Sequence, residues 1–224
     1  MKQSISLWAL SSCMLWSVHP SDGQSTGQQV PQSLTHTIEK TIEVHYLLYL
    51  PPEYGRSEEE WPLLLFLHGA GERGDDIELV KVHGPPKMIA EGKDFPFVVV
   101  SPQCPKGEGW SMDTLRALLD EIVETHRIDK ARIYVTGLSM GGYATWSLAY
   151  TYPKRFAAVV PICGGGDPAK APLMKEIPTW VFHGAKDEAV PLERSQEMVD
   201  ALKAVSSNVH FTVYPEAGHV EAWQ

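Results

Sequence analysis

The chain has 224 residues, 43% of them apolar, with seven Trp; that is enough to bury one core and short for two domains. A formal charge of -9, with basic residues scattered along the chain, repels phosphate backbones and anionic membranes. Nucleic acid is therefore excluded as an expected partner.

The N-terminus has a composition of its own. After Lys2, residues 5–18 form an uncharged apolar run, and residues 19–32 are polar and rich in Gln, Ser and Gly. This is the pattern of a signal peptide, with cleavage expected after Gly23 because Ser21 and Gly23 are small, followed by a flexible leader over residues 24–37. The run falls short of the roughly 20 apolar residues that span a bilayer. An exported protein without stable membrane insertion is expected. Leu10, Ser11, Ser12 and Cys13 also resemble a lipoprotein signal, which would anchor the chain through Cys13.

From residue 38 onward one catalytic domain is expected. Residues 38–50 alternate and are rich in β-branched and aromatic side chains, the signature of edge strands, closed by Pro51 and Pro52. Short apolar runs follow at residues 63–67, 97–100, 133–136, 157–162, 180–183 and 210–214; runs without alternation belong to strands covered on both faces. Helical patterns lie at residues 114–127, 142–152 and 192–205, the last just after Pro191. Residues 69–95 make the longest connection, expected to be irregular with one short helix. Alternating strands and helices predict a mainly parallel sheet with helices on both faces, no inserted lid domain, and chemistry at the carboxyl ends of the strands.

The most specific signal is Gly137-Leu138-Ser139-Met140-Gly141, between a strand and a helix. A serine at the tip of such a turn needs glycine two before and two after it, because the turn is too tight for side chains there. A hydroxyl attacks only when a base takes its proton. Among nine histidines, His219 directly follows the last strand, where the chain order Ser, acid, His places the base. His45 and His210 fall in strand patterns, His126 near a helix end and His36 in the leader, while His83 stays undecided. Asp187, after the strand before the last, is the acid expected to hold the imidazole; its neighbour Glu188 reads as solvated. A tetrahedral intermediate also needs backbone N–H donors, expected from Met140 and from Ala70, with Gly71 as the alternative at the substrate. Trp110 is either a flat wall for substrate or a side chain packed under its own loop. No His, Cys, Asp or Glu grouping has metal spacing, so neither metal nor cofactor is expected.

The stretches HGAGERGDD (68–76), SPQCP (101–105), RIYVTGLSMGGYATW (132–146), PICGGGD (161–167), HGAKDEAVP (183–191) and PEAGH (215–219) together resemble exported bacterial esterases of the α/β-hydrolase superfamily. The resemblance is to the phospholipase/carboxylesterase and poly(hydroxyalkanoate) depolymerase or feruloyl-esterase-like group, some members of which are labelled peptidases with a prolyl-oligopeptidase-type domain. It covers residues 39–219 and implies nucleophile Ser139, acid Asp187, base His219, oxyanion donors Ala70 and Met140, and a small-molecule or polysaccharide-linked ester as substrate. One departure is the short segment after His219, where the group continues through a final helix. The sheet order that the resemblance implies separates Cys104 from Cys163 by three strand steps of about 4.8 Å. That is beyond the roughly 7 Å between Cα atoms that a disulfide bridges, so both are expected to be thiols near the site, Cys163 as a packing residue. Competing readings are a peptidase and a non-catalytic scaffold that binds a ligand or partner.

Overall fold

The computed structural model describes residues 33–36, 39, 41–56 and 58–223. The apolar N-terminal run, its cleavage site and Cys13 lie outside the described residues. The chain divides into two units, Met1–Lys40 and Thr41–Gln224. The few described residues of the first are in neither helix nor strand.

In the second unit, strands β1 (Tyr46–Tyr49), β2 (Trp61–Leu67), β3 (Val98–Pro102), β4 (Ile128–Leu138), β5 (Ala158–Ile162), β6 (Thr179–Gly184) and β7 (Val209–Tyr214) form one sheet. Their order is β1-β3-β2-β4-β5-β6-β7, with β1 antiparallel to β3 and the other pairs parallel. Helices α1 (Gly84–Ala90), α2 (Met112–Thr125), α3 (Met140–Thr151) and α4 (Glu193–Ala204) connect them. The step from β2 to β3 runs one way across the sheet and the later crossovers run the other. Right-handed connections therefore put α1 on one face and α2 to α4 on the opposite one. This is the α/β-hydrolase arrangement that the sequence predicts.

Burial explains the apolar runs. In β3 all five residues are buried, and Leu63, Leu65, Val135 and Val159 on neighbouring strands are fully covered. Helix α2 turns Leu115, Leu118, Leu119 and Ile122 inward at three- and four-residue spacing. It starts where Ser111 Oγ accepts a hydrogen bond from Thr114 N at 3.3 Å, a cap worth about 1 kcal/mol.

Three expectations change. Of the residues 38–50 expected as strand, those described (39 and 41–50) are strand only over Tyr46–Tyr49, because β3 is only five residues long and pairs with β1 over four of them. Gln103 N donates to His45 O at 2.8 Å and continues the ladder by one step. The long connection is more ordered than expected: it holds α1 and two 3-10 turns, Ala70–Glu72 and Ile77–Val82. Finally, β6 is not covered on both faces. Val181 and Thr179 are buried while Trp180 is exposed and Phe182 half-buried, because α4 packs on one side only.

Candidate active site

β4 delivers Ser139 on a sharp turn into α3. Ser139 has φ 53° and ψ −112°, a conformation that costs on the order of 1–3 kcal/mol and persists only when the surroundings enforce it. The surroundings are backbone. A Cβ on Gly137 would lie 2.3 Å from Gly141 O, one on Gly141 1.9 Å from Leu67 O, and one on Gly142 2.5 Å from Ile162 O. Ser139 N also donates to Ile162 O at 2.9 Å. Glycine is thus required because the turn is wedged between the ends of β2 and β5.

The loops after β6 and β7 bring Asp187 and His219 together. His219 Nδ1 donates to Asp187 Oδ2 at 2.6 Å. Asp187 Oδ1 accepts from Ala189 N at 2.9 Å and Val190 N at 2.8 Å. The Asp187 side chain is fully buried and that of His219 is 19% exposed. Burial pushes the Asp187 carboxyl up, but the hydrogen bonds from Val190 N, His219 and Ala189 N outweigh it and hold the group below its ordinary value. Glu188 points to solvent, as its sequence reading has it.

The loop after β2 lies beside the serine. A Cβ on Gly69 would sit 3.7 Å from Ser139 Cβ and 3.6 Å from Leu138 O. Ala70 opens the 3-10 turn that follows and Met140 opens α3. First residues of helical turns have N–H groups with no acceptor inside the turn. Ala70 and Gly71 are exposed. Beneath this loop His68 is fully buried. Its Nε2 accepts from Cys104 N at 2.9 Å and its Nδ1 lies 2.6 Å from Gly69 O, which fixes the proton on Nδ1. Burial lowers its pKa. Trp110 packs on it: the ring centroids are 4.8 Å apart and the indole N–H donates to His68 O at 3.3 Å. Trp110 is therefore half-buried under the loop after β2 and supports that loop from below.

Several residues here carry no signal in the sequence. Glu72, buried, reaches His83 Nε2 at 3.6 Å and His68 Nδ1 at 3.8 Å. His83, left undecided by sequence, thus belongs to the underside of the loop. Cys104 and Cys163 are buried thiols, and Cys163 Sγ lies 3.8 Å from His219 O. Among the described residues, Cys163, His183 and Asp187 place a thiol, an imidazole and a carboxylate within 4.8 Å of one another, a grouping that spacing along the chain does not reveal. Asp187 and His183 already have protein partners on every polar atom. No helix among the described residues is long and apolar enough to cross a membrane.

Residues 94–224 match the phospholipase/carboxylesterase family model. The chain is 42% identical over 122 residues to a poly(3-hydroxyalkanoate) depolymerase C of Paucimonas lemoignei, covering 46% of this chain and 28% of that protein. It is 27% identical over 193 residues to a probable feruloyl esterase C of Aspergillus terreus, covering 83% and 69%. A thermostable esterase of known structure superposes with a TM-score of 0.67 at 37% identity, over 80% of this chain and 52% of that one. The chain spans under a third of the depolymerase's length. With more than half of its residues matching the family model, the chain belongs to the phospholipase/carboxylesterase family.

Proposed function

We propose that this protein is a serine esterase that cleaves carboxylic esters, short acyl or carbohydrate- and aromatic-linked ones, through an acyl-enzyme. The observation that carries the reading is the 2.6 Å bond from His219 Nδ1 to Asp187 Oδ2, made at the sheet edge that also presents Ser139. With its Nδ1 proton committed to the carboxylate, His219 carries no proton on Nε2 in its neutral form, and that nitrogen acts as the base. Ser139 Oγ attacks the ester carbonyl while His219 takes its proton. The oxyanion forms against Ala70 N–H and Met140 N–H, each such donor contributing about a hundredfold to a thousandfold in rate. His219 then protonates the departing alcohol, and a water activated by the same imidazole releases the acid.

The substrate class is tested by kcat/KM across acetyl, butyryl, octanoyl and palmitoyl esters, feruloyl and acetylated-sugar esters, and a peptide amide, for wild type and Trp110→Ala. Preference for short acyl or feruloyl esters is expected. Palmitoyl esters as best substrates, or a peptide cleaved as fast as acetyl ester, would overturn the reading. Export rests on residues 5–18; the mature protein is expected to begin at Gln24, and an N-terminal sequence that retains Met1 on secreted protein would refute it.

A further inference from the structure

His183 is fully buried directly behind the acid, and the mechanism above gives it no part. It is the penultimate residue of β6, four residues before Asp187. Its Nε2 lies 2.9 Å from Val190 O and 3.2 Å from Asp187 Oδ2. A carbonyl oxygen only accepts, so Nε2 carries a proton, and the N–H presents its positive edge to the carboxylate. On the other side of the ring, Nδ1 lies 2.7 Å from Ser195 Oγ, which is itself 2.9 Å from Gly164 O. Ser195 belongs to the first turn of α4, and Gly164 O also accepts from Trp146 Nε1 at 3.2 Å.

Val190 joins the two halves of this arrangement. Its N–H donates to Asp187 Oδ1 and its carbonyl accepts from His183. The same peptide segment that orients the acid is thus clamped by the imidazole. We propose that His183, braced by Ser195, is a positioning residue that holds the Asp187 carboxylate in register with His219. The inference rests on the esterase reading and deepens it. Loss of the Nε2–H leaves Val190 O without its buried partner and frees the turn that aims Asp187, so the effect passes through Asp187 and through no contact with substrate.

Glutamine places an amide N–H where Nε2 stands, whereas leucine fills the volume without a donor. His183→Leu is expected to lower kcat about tenfold to a hundredfold, the range seen when supporting partners of functional side chains are lost, with KM unchanged. His183→Gln is expected to recover most of the rate. In an Asp187→Asn background His183→Leu should cost little more, because its effect runs through the carboxylate. A merely structural role predicts the same fold-loss in both backgrounds, or a Gln variant as slow as Leu; either result overturns the inference. Ser195→Ala carries the same cycle with a smaller perturbation if His183→Leu fails to fold. Covalent labelling of wild-type Ser139 by a fluorophosphonate separates the two levels: no labelling refutes the esterase reading, while labelling without coupling refutes only the role of His183.

Discussion

Asp187 and Glu188 are adjacent carboxylates with opposite surroundings: one is fully buried under four close N–H or imidazole contacts, the other faces solvent. Asp187→Asn should cost roughly ten-thousandfold in kcat by stabilising the wrong imidazole tautomer, while Glu188→Gln should leave kcat/KM unchanged; the reverse pattern in steady-state assays would exchange their roles. Asp187 and His68 also contribute a pH dependence of stability. Asp187 is held below its unfolded value of about 3.9, so its contribution is complete above that pH and is lost as pH falls through the folded value. His68 is held below its unfolded value of about 6.5 by burial. The unfolded chain therefore binds a proton first, and stability declines as pH falls below about 6.5. Urea unfolding at pH 7.5 and 5.5 should show this decline in wild type and a smaller one in His68→Gln. Equal declines would mean that His68 is not the group responsible. Ser139, His219 and Asp187 were legible because motif and chain order constrain them. His183 and Glu72 were not, since their roles depend on which loops meet at the sheet edge, and spacing along a strand does not encode that.

At the scale of elements, the turn between β4 and α3 is fixed by backbone proximity. A methyl group at Gly141 would meet Leu67 O at 1.9 Å, whereas one at Gly109 meets nothing within 4 Å. Gly141→Ala should lower stability by about 3 kcal/mol or more, at the top of the overpacking range, and abolish activity. Gly109→Ala should stay within about 0.5 kcal/mol of wild type. Thermal and denaturant melts of the two variants check this, and a Gly141→Ala protein as stable as wild type would contradict the wedged turn. The glycine pattern around Ser139 announced this turn in the sequence. The connection from β2 to β3 was harder to read, because its order comes from tertiary contacts: Gln103 Nε2 donates to Glu72 O and Asp76 O at 3.0 and 2.7 Å, pinning two turns that have weak local propensity. Residues 41–45 likewise look like strand by composition, yet β3 offers them no partner beyond its own five residues.

At the scale of the whole molecule, the sheet ends in an open aromatic face. Trp180 is 50% exposed, and Phe182 stacks between it and Tyr214 at centroid distances of 5.0 and 6.2 Å. Exposed apolar patches of this kind bind amphiphilic dyes. The protein should enhance anilinonaphthalene sulfonate fluorescence in its native state, and Trp180→Thr with Tyr214→Thr should reduce that signal with little change in Tm. A dye signal unaffected by the pair would place the binding elsewhere. Hydrophobic runs made the sheet and its parallel character legible, but not this open face, because an apolar run reads the same whether or not a helix lies over it. On the proposed reading this sheet edge makes Ser139 a nucleophile. Intact-mass and peptide mapping after fluorophosphonate treatment checks this: one adduct per chain is expected, on Ser139, absent from Ser139→Ala and strongly slowed in His219→Gln. An adduct on another serine, or undiminished labelling in Ser139→Ala, would contradict it.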